Sequence, residues 1–128
     1  MSNASIHNKI TVAADWSSNL SLYSGLKAGP LTNVQRPKLT KQNKHYVAIV
    51  MSDGDNVQWM NNGFATEQRF FGSDKRGNFP VTWTIAPGLY NLSPQTLKYL
   101  YGNATPNDYF IAGPVSYTHL TLPTNSLV

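Results

Sequence analysis

The stretch that decides the fold runs from Tyr46 to Trp59 and reads YVAIVMSDGDNVQW. Its first part, Tyr46 to Met51, is a continuous apolar run, which is typical of a strand covered on both faces. Its second part, Ser52 to Asn56, is a polar turn that contains two aspartates and a glycine. We therefore predict a buried strand that ends in an acidic turn, followed by a short helix within residues 57–64.

A second strand, a helix and a third strand follow in order. The strands are predicted at Val81–Ala86 and Asp108–Ala112, where β-branched and aromatic residues are concentrated. The helix is predicted to begin with Ser93 as its N-cap and Pro94 at its first position, and to end at Gly102. Its residues Leu97, Leu100 and Tyr101 share one face, which is expected to pack on the sheet.

Alternation of strands and helices indicates an α/β fold with a parallel sheet. A closed barrel of parallel strands needs eight such units and about 250 residues, whereas this chain has 128 residues. We therefore predict an incomplete sheet with open edges, which favours marginal stability and aggregation.

Composition divides the chain into three parts. Residues 1–44 are predicted to be a lead-in segment of the same domain, and residues 45–114 its first βα units. Residues 115–124, VSYTHLTLPT, match one reading frame of a transposase adapter used in shotgun library preparation. We therefore expect the natural sequence to stop near Pro114 and residues 115–128 to be an artefact, so His119 is excluded from any site.

Composition also excludes several classes of protein. The chain has no cysteine, so it holds neither disulfides nor a thiolate metal site. No cofactor is expected, and no residue is assigned as a metal ligand. No apolar run approaches the roughly 20 residues of a membrane span, and no signal segment opens the chain. The net charge of +4 does not indicate nucleic-acid binding, because the basic cluster lacks interleaved aromatic residues. That cluster is interpreted as a solvated loop and comprises Arg36, Lys38, Lys41 and Lys44.

The candidate catalytic residues are Asp53 and Asp55, with Asn56 beside them as a substrate-binding candidate. They follow a buried strand at its carboxyl end, where α/β folds place their active sites. Two carboxylates one residue apart repel each other unless a cation, a hydroxyl network or a shared proton compensates. A sugar- or metal-contacting site is therefore indicated. The alternative is a turn whose side chains cap the following helix.

Four aromatic side chains and one further carboxylate are candidates for substrate binding. Trp59 and Trp83 would stack on a sugar ring if they were exposed near a strand end, but a core position is favoured for both. Tyr90 follows the second strand and is expected on the same rim as Asp53. Asp15 and Trp16 follow a possible strand near the start of the chain.

Four segments resemble the GxGYxYP glycoside hydrolase family, whose members are common in gut Bacteroidetes. The most specific is the stretch from Tyr46 to Trp59. FPVTWTIAPGL (Phe79–Leu89) and NDYFIAGP (Asn107–Pro114) extend the likeness, and AADWSSNLSLYSG (Ala13–Gly25) is similar to the segment that precedes this block. The glycine–tyrosine–proline signature of the family would follow Pro114 and is absent here, so the resemblance rests on flanking residues.

The resemblance implies a TIM-barrel-like catalytic domain in an exported, extracellular or cell-envelope protein that acts on polysaccharide or oligosaccharide. Glycoside hydrolysis requires two carboxyl groups, and we predict that Asp53 or Asp55 contributes a catalytic or substrate-orienting carboxylate. The partner carboxylate is expected outside this chain, so the chain alone is expected to be inactive. The sequence leaves the oligomeric state open.

Two other functions compete with this interpretation. The apolar strand followed by Asp53-Gly54-Asp55 also resembles the first motif of haloacid-dehalogenase-type phosphatases, in which a magnesium ion offsets the repulsion between the aspartates. That fold needs a Ser or Thr at the end of the next strand, and Thr84 comes too early. A non-catalytic carbohydrate-binding domain is the second alternative.

Overall fold

A computed structural model of the chain describes residues 6–7, 17, 19–23, 25–36, 38, 40–52, 54 and 56–113. After a 3₁₀ turn at Leu20–Tyr23, three strands and three helices follow in the order β1, α1, β2, α2, α3, β3. The strands are β1 (Val50–Met51), β2 (Val81–Ile85) and β3 (Asp108–Ala112); the helices are α1 (Val57–Asn61), α2 (Leu89–Leu92) and α3 (Pro94–Gly102).

The three strands form one open, fully parallel sheet in the order β1-β2-β3. Met51 is aligned with Trp83, and Trp83 with Phe110. This is the predicted α/β class, and an open sheet of three parallel strands is the arrangement of an incomplete barrel-like fragment.

The first strand is shorter and more exposed than predicted. Only Val50 and Met51 of the apolar run form a strand, and Tyr46 and Val47 are 59% and 88% exposed. Sequence reasoning assumed cover on both faces. None of the described residues supplies that cover along residues 46–49, so the apolar run lies open at the edge of the sheet.

One face of the sheet carries the hydrophobic core. Side chains alternate between the two faces of a strand, and Trp83, Ile85 and Phe110 point to the face on which the helices pack. Phe64 and Phe71, from the connection between α1 and β2, contact Trp83 edge-on at ring distances of 5.7 Å each. On the opposite face, Val50 and Ile111 remain 50% and 38% exposed.

Helix α3 begins and ends where the sequence predicts. Leu97 and Leu100 are buried, and the Tyr101 ring lies 4.5 Å from that of Phe110. Ser93 occupies the N-cap position, but its side chain does not bond to the helix backbone. Its hydroxyl pairs instead with the Thr96 hydroxyl at 2.8 Å, which in turn donates to Asn61 at the end of α1.

The lead-in segment lies along the free edge of β3. The Asn33 side chain accepts a hydrogen bond from the Phe110 N–H and donates one to the Phe110 carbonyl, both at 2.8 Å. Arg36 donates to the Asn107 carbonyl at 3.3 Å and lies over the Tyr109 ring. The edge that sequence reasoning left open is thus partly covered from within the chain.

Candidate active site at the carboxyl edge of the sheet

The carboxyl ends of the three strands meet at one edge of the molecule. The turn Ser52–Asn56 follows β1, the segment from Ala86 to Tyr90 follows β2, and Gly113 follows β3. The Gly113 N–H donates to the Ile85 carbonyl at 2.9 Å, which extends the pairing of β2 and β3 to this edge. Because parallel strands bring such loops together, this edge is where an active site is expected.

The turn after β1 is attached to β2 through Thr84. The Gly54 N–H donates to Thr84 Oγ1 at 3.0 Å, and Thr84 Oγ1 donates to the Met51 carbonyl at 2.8 Å. Gly54 is buried, and a Cβ at this position would overlap the Thr84 carbonyl group. Glycine is therefore needed here because the two backbones touch.

Asn56 is the N-cap of α1. Its Oδ1 accepts a hydrogen bond from the Trp59 N–H at 3.0 Å, and its backbone is extended, as N-cap geometry requires. The capping role that the sequence left open for the acidic turn is thus filled by Asn56. The helix does not need an aspartate for that purpose.

Four of the predicted site residues lie outside the described residues: the catalytic candidates Asp53 and Asp55, and the binding candidates Asp15 and Trp16. Asp53 and Asp55 flank Gly54 directly in the sequence. Their roles remain predictions.

The two tryptophans pack on the core face of the sheet. Trp83 is 7% exposed, and its Nε1 donates to Asp108 Oδ1 at 2.7 Å. Trp59 contacts Phe64 and Phe70 edge-on, at ring distances of 5.0 and 4.7 Å. Both therefore have the packing role that the sequence favoured, and Trp83 offers no free ring face for stacking on a sugar.

Tyr90 lies in α2, which follows β2; it is half exposed and borders an open cavity of about 430 Å³. Pro30 and Leu31 of the lead-in segment line one side of the cavity, and Leu97 and Tyr101 of α3 line another. Burial, and secondarily the neighbouring Tyr109, raise the pKa of Tyr101.

Sequence reasoning missed Thr84 as a site residue, although a signal was present. Thr82 and Thr84 alternate with Trp83 and Ile85, so the threonines point away from the core face. A polar side chain near the carboxyl end of a strand, on the face opposite the core, indicates a contact at that edge of the sheet.

Within the described part of the chain, no three His, Cys, Asp or Glu side chains cluster in a way that would hold a metal ion. In the same part, no helix has the length and apolar character needed to cross a bilayer.

Comparison with known families shows which family the chain resembles. Residues 43–121, more than half of the chain, match the family described as "GxGYxYP putative glycoside hydrolase C-terminal domain". The match covers the acidic turn, all three strands and the helices between them. No curated protein matches the chain.

Among solved structures, the chain is similar to the crystal structure of a "putative hydrolase" from Bacteroides thetaiotaomicron. The sequences are 34% identical, and the TM-score is 0.62. The alignment covers 78% of this chain and 20% of that one, so the chain spans about a fifth of its solved relative.

Proposed function

Because this chain belongs to the GxGYxYP glycoside hydrolase family, we propose that it forms part of a carbohydrate-hydrolysing domain to which Asp53 or Asp55 contributes a carboxylate. The observation that carries the proposal is the hydrogen bond between Gly54, which lies between the two aspartates, and Thr84 near the carboxyl end of β2. Loops held at that edge are where parallel α/β folds bind substrate.

The capping of α1 by Asn56 supports a functional role for the aspartates. A turn that merely begins a helix needs one side-chain acceptor, and Asn56 Oδ1 supplies it. Two additional carboxylates in the same turn raise the electrostatic energy of the folded state. Substrate hydroxyls, which donate hydrogen bonds to carboxylates, would offset that energy.

Hydrolysis of a glycosidic bond requires a second carboxyl group. The two groups stand about 5–5.5 Å apart in retaining enzymes and about 6.5–9.5 Å apart in inverting enzymes. In the proposed mechanism one aspartate of the turn acts as acid, base or nucleophile, or orients the substrate. Another part of the full-length domain supplies the partner.

We extend the proposal to the whole domain. Consecutive parallel strands with their helices on one face are the repeating unit of a TIM barrel, and the solved relative is about five times longer than the aligned region. Closing the barrel would cover the exposed face around Val50 and Ile111. The family resemblance and the low share of charged residues, 12%, support an exported protein.

The proposal is tested by glycan-array binding and a reducing-sugar assay on the 128-residue chain, with Asp53→Asn and Asp55→Asn as variants. We expect the chain to bind an oligosaccharide without cleaving it, and at least one variant to weaken binding by about tenfold, equivalent to about 1.4 kcal/mol. Asp74→Asn is the control, because Asp74 is exposed and lies in the connection before β2.

Two results would contradict this function. Folded chain that binds no glycan, or that binds equally well in both variants, removes the site from the acidic turn. Release of reducing sugar by the chain alone contradicts the need for a carboxylate from elsewhere. For the full-length protein, glycan binding without products after long incubation would indicate a non-catalytic carbohydrate-binding domain.

A further inference from the structure

Thr84 is a buried polar residue on the face of the sheet that none of the described helices covers. Two other residues on that face, Val50 and Ile111, are 50% and 38% exposed, whereas Thr84 is only 1% exposed. Register places Thr84 beside Ile111 of β3. What covers Thr84 is therefore the turn after β1, whose Gly54 backbone lies against it.

The hydroxyl of Thr84 connects the end of β1 with the turn that follows it. It donates to the Met51 carbonyl and accepts from the Gly54 N–H, so one oxygen bonds to the backbone on both sides of Ser52. Beyond the turn, Asn56 attaches the chain to α1. The chain is thus held at three points, Met51, Gly54 and Asn56, within six residues.

We propose that Thr84 is a positioning residue, which fixes the backbone of the acidic turn at Gly54 against the carboxyl end of β2. That the turn serves glycan binding rests on the proposed function. The holding role of Thr84 does not, since it follows from the two hydrogen bonds and from the contact with Gly54.

Loss of the hydroxyl would release the turn without removing bulk from the sheet. In Thr84→Val the side chain keeps its shape, but the buried Gly54 N–H loses its acceptor. Thr84→Ser retains the oxygen and both hydrogen bonds. Thr82→Val is the matched control, because Thr82 lies on the same strand and face and makes no side-chain hydrogen bond among the described residues.

The experiment measures amide hydrogen exchange at Gly54 by NMR, glycan affinity and the melting temperature in all three variants. We expect Thr84→Val to accelerate Gly54 exchange by at least about tenfold and to weaken glycan binding by about tenfold, and Thr84→Ser to restore both. Thr82→Val should leave both within about twofold of the parent chain. A fall in melting temperature alone, with exchange and affinity unchanged, is the result of a merely structural role.

The outcomes separate this inference from the proposed function. Unchanged Gly54 exchange in Thr84→Val would overturn the positioning role. Faster exchange with full glycan affinity would show that Thr84 holds a turn that does not serve the glycan, and would overturn the link to the site. If the parent chain binds no glycan, the proposed function fails, and Gly54 exchange alone then decides whether Thr84 holds the turn.

Discussion

Asp108 is a buried carboxylate at the amino end of β3 that accepts hydrogen bonds from three segments of the chain. Its donors are Arg76, the Trp83 indole, and both the N–H and hydroxyl of Thr105. The Arg76 guanidinium also lies over the Phe71 ring, 4.0 Å from its centre. This network fastens the connection before β2 to the end of the sheet opposite the acidic turn.

Replacing Asp108 by Asn should destabilise the chain by about 3–5 kcal/mol, because Arg76 would be left largely buried without its counter-charge. Burial acts to raise the pKa of Asp108, but the bonds from Trp83, Thr105 and Arg76 outweigh it and hold the pKa below its ordinary value of 3.8. The folded state thus binds its proton more weakly than the unfolded state. The stabilisation is complete above pH 3.8 and is lost as the pH falls through the lowered pKa.

Urea unfolding of the parent chain and of Asp108→Asn from pH 7 to pH 2 measures both effects. The difference between the urea concentrations at which the two proteins are half unfolded should be largest near neutral pH and should become smaller below about pH 4. Asp74→Asn is the control, since Asp74 is exposed. A gap that stays constant down to pH 2 would show that the charge of Asp108 is not what stabilises the fold.

Strand β3 illustrates how an edge strand is protected by a side chain rather than by another strand. The amide of Asn33 satisfies both the N–H and the carbonyl of Phe110, as a neighbouring strand would do. These two backbone groups are therefore no longer free to pair with a strand of another chain, as they would be at an exposed edge.

Asn33→Leu should destabilise the chain by about 1–3 kcal/mol, because it leaves the Phe110 backbone groups without partners in a partly buried position. Amide exchange at Phe110 should accelerate in parallel. Thermal unfolding and exchange measured on Asn33→Leu and on the exposed control Asn78→Leu check this. Equal melting temperatures for the two variants would mean that the segment before residue 36 does not protect β3.

The molecule as a whole has one packed face and one open face. The core lies between the sheet and its helices, whereas Tyr46, Val47, Ile49 and Val50 leave apolar surface exposed along β1 and the run before it, with exposures from 50% to 88%. An apolar edge strand of this kind is a template for association. The aggregation predicted from the sequence thus has a specific location in the structure.

Sedimentation velocity over a range of concentrations should show self-association of the 128-residue chain. The double variant Val47→Lys, Val50→Lys should remain monomeric at concentrations where the parent chain associates, because edge lysines oppose strand pairing. The control Ile6→Lys, Leu22→Lys adds the same charge at two positions that are each 73% exposed and lie outside the sheet. If both variants dissociate alike, net charge rather than the β1 edge controls association.

The local pattern predicted the α/β class, the second and third strands, the bounds of α3 and the family. The strands are indicated by alternation of side chains along the chain. Helix α3 is indicated by its 3.6-residue period and by Pro94 and Gly102 at its ends. All of these signals come from residues that are close in the sequence.

Contacts between distant residues were decided by tertiary structure. Thr84 meets Gly54 from 30 positions away, and Asn33 meets Phe110 from 77. The alternation around Thr84 indicates which face of β2 it occupies, but no local pattern identifies Gly54 or Phe110 as a partner, because a hydroxyl or an amide finds its partner only once the two backbones are adjacent. The burial predicted for the apolar run before Val50 was wrong for the same reason, because it too depends on distant residues. Its composition makes burial favourable, but burial requires a neighbouring element to cover it.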